Sequence, residues 1–140
     1  MKKIARILSL VILLAVAGSC RELPLIGDLA GQWQITKIVY PDGRVVEAPQ
    51  RYYCFYRHTA QLHPGSGAAT TANMTYDNPS LMLQFPTTQP RNLEAWGIVV
   101  PENTPTGAIE WIQKYHIDHL SSERLVMTTE QGVEITCRKF

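Results

Sequence analysis

The chain has 140 residues, 13 Lys and Arg against 12 Asp and Glu, a formal net charge of +1, and 45% hydrophobic residues. That length supports one domain with a real core. A near-neutral chain without a basic run lacks the electrostatic footprint that nucleic acid requires, so that class of partner is excluded.

The chain opens on Lys2, Lys3 and Arg6, followed by an apolar run over residues 7–17 broken only by Ser9, and then by Ala17, Gly18, Ser19 and Cys20. A basic start, a short apolar run and small residues before the cleavage position make a secretory signal. Small residues directly before a cysteine resemble the lipobox of bacterial lipoproteins, although Ala17 stands where a leucine is usual. The resemblance implies lipid attachment at Cys20, a leader over 1–19, a tether over 20–28 and a folded domain over 29–140. A plain signal peptide or a retained anchor are the alternatives, and the run is short for a span, which takes about 20 residues. The leader holds three of the thirteen basic residues and no acid, so the mature chain carries ten basic and twelve acidic residues, a net charge of −2. The expected location is the cell envelope, at the outer membrane, with the membrane engaged through the lipid.

Past the tether, β signals dominate. Residues 32–40 are rich in β-branched and aromatic side chains and stop at Pro41, Asp42 and Gly43. Trp33 and Ile35 share one parity while Ile38 and Tyr40 share the other, so a bulge is expected near Thr36 and Lys37. Residues 44–47 form a short strand and 52–62 a long one, whose even set, Tyr52, Cys54, Tyr56, Ala60 and Leu62, is read as the inner face. Residues 70–76 and 81–85 form a hairpin around Asp77, Asn78 and Pro79. Residues 90–96 are the expected helix, with Pro90 in its first turn and Gly97 just beyond its end. Strands over 111–118, 124–130 and 133–138 complete the chain; in the last, Val133, Ile135 and Cys137 alternate with Glu134, Thr136 and Arg138. About eight short strands, one helix and no long βαβ spacing predict an all-β fold, an antiparallel up-and-down sheet closed into a barrel.

Leu29-Ala30-Gly31-Gln32-Trp33 ahead of the first strand, and the late run from Tyr115 to Leu120 and on to Met127 and Arg138-Lys139-Phe140, resemble the calycins. More narrowly, they resemble the small lipocalin-like lipoproteins common in Bacteroidota. The resemblance implies that Gly31 and Trp33 close one barrel end and that an arginine of the last strand, here Arg138, covers the indole. Such a contact contributes about 0.5–2 kcal/mol.

For chemistry, the chain offers little. There is no Gly-x-Ser-x-Gly, His-Glu-x-x-His or phosphate loop. His116 and Asp118 share a strand face from which His119 points away, and His58 and His63 have opposite parity, so no metal site and no cofactor is expected. Carboxylate pairs such as Glu110 with Asp118, or Glu94 with Glu102, read as surface groups. Cys54 and Cys137 fall on strands separated by the first strand. Two strand spacings are about 9.5 Å, beyond the roughly 7 Å a disulfide allows, so both are expected as buried thiols. Tyr52, Tyr56, Tyr76, Phe85, Trp96 and Trp111 are the candidate lining of a cavity for a small apolar or amphipathic ligand, with Trp96 over the barrel mouth. The same aromatics could instead fill the barrel. The protein would then be a non-enzymatic interaction protein acting through loops 63–69 and 102–107 on a partner that the sequence does not name.

Overall fold

The computed structural model describes residues 26–86, 93–100 and 110–140. The leader, Cys20, Pro90 and the loop 102–107 lie outside the described residues. Nine strands follow one another: β1 (Gly31–Val39), β2 (Val45–Glu47), β3 (Tyr52–Phe55), β4 (Thr59–His63), β5 (Thr70–Asp77), β6 (Ser80–Phe85), β7 (Trp111–Leu120), β8 (Arg124–Thr129) and β9 (Glu134–Lys139). From β3 onward each strand pairs antiparallel with the next, and β1 pairs with both β3 and β9. The result is a closed eight-stranded antiparallel barrel, with β2 added to the end of β1 through Val39↔Val45 and Lys37↔Glu47. Closure leaves those eight strands without an edge, which removes the template for pairing with another chain.

Alternation decides what fills the interior. Leu81, Leu83 and Phe85 are buried from β6, and Ile135 and Cys137 from β9, while Ser80, Glu134 and Arg138 face solvent. The expected bulge in β1 is present as a register shift between Ile35 and Lys37. It lets Trp33, Ile35 and Ile38 all point inward despite their mixed parity.

Two expectations require correction. The single strand over 52–62 is a hairpin: β3 and β4 pair through Tyr53↔Leu62 and Phe55↔Ala60, and the Tyr56 N–H donates to the Thr59 carbonyl at 2.8 Å across the turn. The turn resets the parity. Tyr53 and Phe55 are the residues of β3 in the core, Ala60 and Leu62 those of β4, so the even set was not one face. The expected helix is, over its described residues, a single 3-10 turn, Leu93–Trp96. Tyr40 and Tyr53 hydroxyls donate to the Glu94 and Trp96 carbonyls, at 3.1 and 2.6 Å, taking acceptors that a longer helix would need for itself. Gly97 ends the turn at φ +80° as its sequence position implied. A Cβ there would lie 2.9 Å from Ile135 Cδ1.

Cys54 and Cys137 are free and buried, separated by β1 through Gln32↔Cys54 and Ile35↔Cys137.

Candidate functional site

The barrel has two different ends. At the first, the 3-10 turn Gly27–Leu29 leads into β1, and Leu29 and Trp33 are both completely buried. Trp33 Nε1 donates to the Leu29 carbonyl at 2.9 Å, so the indole has its polar edge satisfied inside the core. Lys139 lies over the ring, its Nζ 4.5 Å from the ring centroid, and donates to the carbonyls of Ala30 and, at 3.3 Å, Asp28. Gly31 suits this position chiefly through its backbone. Its φ is +114°, and a Cβ would come within 3.0 Å of Lys139 Nζ. Burial pulls the Lys139 ammonium below its ordinary pKa, an effect partly offset by the nearby Asp28 carboxylate.

Arg138 is therefore not the residue covering the indole. It sits on the outer face of β9, where its Nε donates to Gln34 Oε1 at 2.8 Å. The alternation that buries Ile135 and Cys137 carries through to 139 and turns 138 outward. That parity was the sequence signal that selects Lys139. Lys139→Ala is expected to cost about 1–2 kcal/mol through loss of the cation–π contact and its hydrogen bonds. Arg138→Ala, at an exposed position, should stay within about 0.5 kcal/mol. Urea denaturation of the two variants side by side checks the order.

The second end is where residues 93–98, between β6 and β7, pack on the barrel. The turn Leu93–Trp96 and Ile98 are held against it, with Leu93, Trp96 and Ile98 buried in the core. Trp96 Nε1 donates to the Tyr52 carbonyl at 3.1 Å, and the Arg51 guanidinium lies 5.5 Å from the indole centroid. The Tyr53 hydroxyl gives its proton to the Trp96 carbonyl and so accepts from Tyr115, 3.1 Å away. Burial is the leading cause that raises the pKa of both phenols.

Of the residues expected to line a cavity, Phe85 and Trp111 meet at this end, as direct partners across β6 and β7. Phe85 is completely buried, Trp111 partly so and packed against the core, and Trp96 is buried in the same core, hydrogen-bonded to β3 at Tyr52 and Tyr53. Tyr76 packs on the core near Asp28 at the opposite end; burial raises its pKa, with a smaller push from the Asp28 carboxylate. Tyr56 is 51% exposed at the β3–β4 turn, and the Tyr52 ring lies outside the barrel against Phe140. Both leave the interior set, because β3 turns its odd residues inward.

Sequence reading missed Gln113. It is completely buried on the inward face of β7, between Trp111 and Tyr115 in the alternation. Its amide nitrogen donates to Gln131 Oε1 at 2.9 Å and to the Lys114 carbonyl at 3.1 Å. Among the described residues, Gln113 Oε1 and Trp111 Nε1 are buried without a hydrogen-bond partner. A glutamine in the odd set Trp111, Gln113, Tyr115, Ile117 was the available signal, one polar residue in an apolar stripe.

On the outer surface, His116 Nδ1 lies 3.0 Å from Asp118 Oδ1, and the Thr128 hydroxyl donates to Asp118 Oδ2 at 2.5 Å. Among the described residues no three His, Cys, Asp or Glu side chains converge as metal ligands.

The profile of the lipocalin-like domain matches residues 12–140. The chain belongs to this lipocalin-like family. The fold agrees with that of a lipocalin-like protein from Bacteroides uniformis, at 22% identity and a TM-score of 0.61, over 81% of this chain and 100% of the other. An uncharacterized protein from Bacteroides eggerthii is similar in fold at 18% identity and a TM-score of 0.56, over 80% of this chain and 99% of the other. No curated protein matches. The lipocalin-like barrel supplies a binding type of architecture, and its two ends are chemically unlike. The Trp33 end is closed by a satisfied indole and a lysine, and the Trp111 end carries two buried polar atoms without partners among the described residues.

Proposed function

We propose that this protein is a lipid-anchored component of the cell envelope, held at the outer membrane through Cys20, whose barrel takes a small amphipathic molecule at the Trp111 end. The observation that carries the binding reading is the pair Gln113 Oε1 and Trp111 Nε1, one acceptor and one donor, both buried and without partners among the described residues. Each such group costs about 1–3 kcal/mol when left unpaired. A hydroxyl or carboxamide on an otherwise apolar ligand pairs with an acceptor and a donor together. Phe85, the cross-strand partner of Trp111, suits the apolar body. The family's barrel is compatible with such a ligand.

Native mass spectrometry of the protein exported to the periplasm and purified gently tests the reading. The expected result is an added mass that is lost on denaturation and reduced in Gln113→Leu and Trp111→Phe. A bare mass in the unsubstituted protein would favour the second reading, an interaction protein with a filled barrel. That reading draws on the complete burial of Trp33, Tyr53, Phe55 and Phe85. The anchor is tested separately. Cys20→Ser is expected to move the protein from the membrane pellet to the soluble fraction and to abolish incorporation of labelled fatty acid. Retention in the pellet would refute lipid anchoring.

A further inference from the structure

Outside the barrel, on the face of β1, β3 and β4, the side chains of Gln32, Tyr52, His63, Ser66 and Phe140 surround a groove of about 290 Å³. Its aromatic wall is a pair: Tyr52 and Phe140 meet edge to face, centroids 5.2 Å apart at 74°. Phe140 is nevertheless 70% exposed, a large apolar ring held in a fixed geometry and left uncovered. The walls are fixed by backbone bonds. Phe140 N–H donates to the Gln32 carbonyl at 2.9 Å. Arg51 Nη1 ties the opposite rim down, donating to the Pro64 carbonyl at 3.2 Å and to those of Pro49 and Gln50 at 3.3 Å. Gly65, at φ +82°, lies so close to this rim that a Cβ would stand 3.0 Å from the Gln50 carbonyl oxygen.

The chemistry of the lining selects an occupant. Among the described residues no Lys, Arg, Asp or Glu side chain lines the groove, and the α-carboxylate of Phe140 disfavours an anion there. The Gln32 amide, the His63 imidazole and the Ser66 hydroxyl supply donors and acceptors that a hydrocarbon would bury unpaired. His63 is oriented by Gln61, its Nε2 3.0 Å from Oε1, which leaves its second ring nitrogen for another partner. An aromatic wall facing neutral polar groups complements a molecule with one apolar C–H face and a rim of hydroxyls. The volume is at the small end of ligand sites, about 300 Å³ and upward, a size for one or two sugar rings.

We propose that this groove binds a neutral saccharide, with Tyr52 and Phe140 against the C–H face of a sugar ring and Gln32, His63 and Ser66 on its hydroxyls. The site is independent of the barrel interior and of any ligand there.

Saturation-transfer NMR on the full chain, held in a detergent without a sugar headgroup, tests this with maltose, cellobiose, lactose and diacetylchitobiose at millimolar concentration. Transfer to the ring protons of at least one disaccharide is expected. Phe140→Ala and Tyr52→Ala should each weaken that binding about tenfold, while His116→Ala, exposed on the outer face of β7, leaves it unchanged. Phe140→Ala keeps the test decisive if Tyr52→Ala disturbs folding, because the Phe140 ring is mostly in solvent. Absence of transfer to all four sugars, or transfer that survives Phe140→Ala in a folded protein, would overturn the proposal.

Discussion

Trp33→Ala is expected to remove about 3–5 kcal/mol of folding stability, the range for deleting a buried tryptophan. Typical domains have only about 5–15 kcal/mol in total. Three losses add at this one position. The indole is completely buried, so its removal leaves a large cavity at the closed end. The carbonyl of Leu29, a completely buried residue, loses the Nε1–H donor at 2.9 Å. The Lys139 ammonium, already desolvated enough to lower its pKa, loses the ring beneath it. Urea unfolding followed by tyrosine fluorescence or circular dichroism measures the cost. Trp33→Phe separates the contributions: it refills much of the volume and keeps a ring under Lys139, but cannot donate to Leu29. A loss below about 1 kcal/mol in Trp33→Ala would mean that the first barrel end is not held as described.

How much of this could be read before the structure depends on where the chain announces its turns. β6 and β9 alternate cleanly and sit between strong turn sequences, Asn78-Pro79 and Gln131-Gly132, and their inward residues followed from that pattern. The bulge in β1 was legible because two parities occur in one run. The turn Tyr56-Arg57-His58 was not, since it carries no Gly, Pro, Asn or Asp to mark it. Two short strands of opposite parity then read as one long ambiguous strand, and Tyr52 and Tyr56 were placed inside. The break between β2 and β3 was legible, with Pro49 in it, but not its conformation: Ala48 and Gln50 adopt φ of 44° and 53° without being glycines. At the candidate site, the aromatic stripe of β7 was visible, yet the interest of Gln113 lies in an atom unpaired among the described residues, which is a property of packing and not of sequence. Arg138 shows the converse case. The family pattern suggested an arginine, while the alternation along β9 already favoured Lys139.

Alkaline conditions should destabilise the fold steeply, because three acidic protons are trapped inside it. Tyr53, Tyr115 and Cys137 are buried side chains whose pKa values are all raised, with burial the leading cause in each. In the unfolded chain the thiol ionises near 9.0 and the phenols near 10.0. Above those values the unfolded state releases protons that the folded state keeps. The unfolded state then binds fewer protons, and unfolding is favoured as pH rises. The stability these groups permit is thus fully present below about pH 9 and is lost above it, at about 1.36 kcal/mol per pH unit for each group in its window. From about pH 8 to about pH 11, one thiol over roughly two units and two phenols over roughly one unit each amount to about 5 kcal/mol. Urea midpoints measured across that range should fall slowly past pH 9 and faster past pH 10. Cys137→Ala should flatten the first segment and Tyr53→Phe the second. A midpoint constant up to pH 11 would mean that these groups reach solvent in the folded state, and the second barrel end would then be open to water.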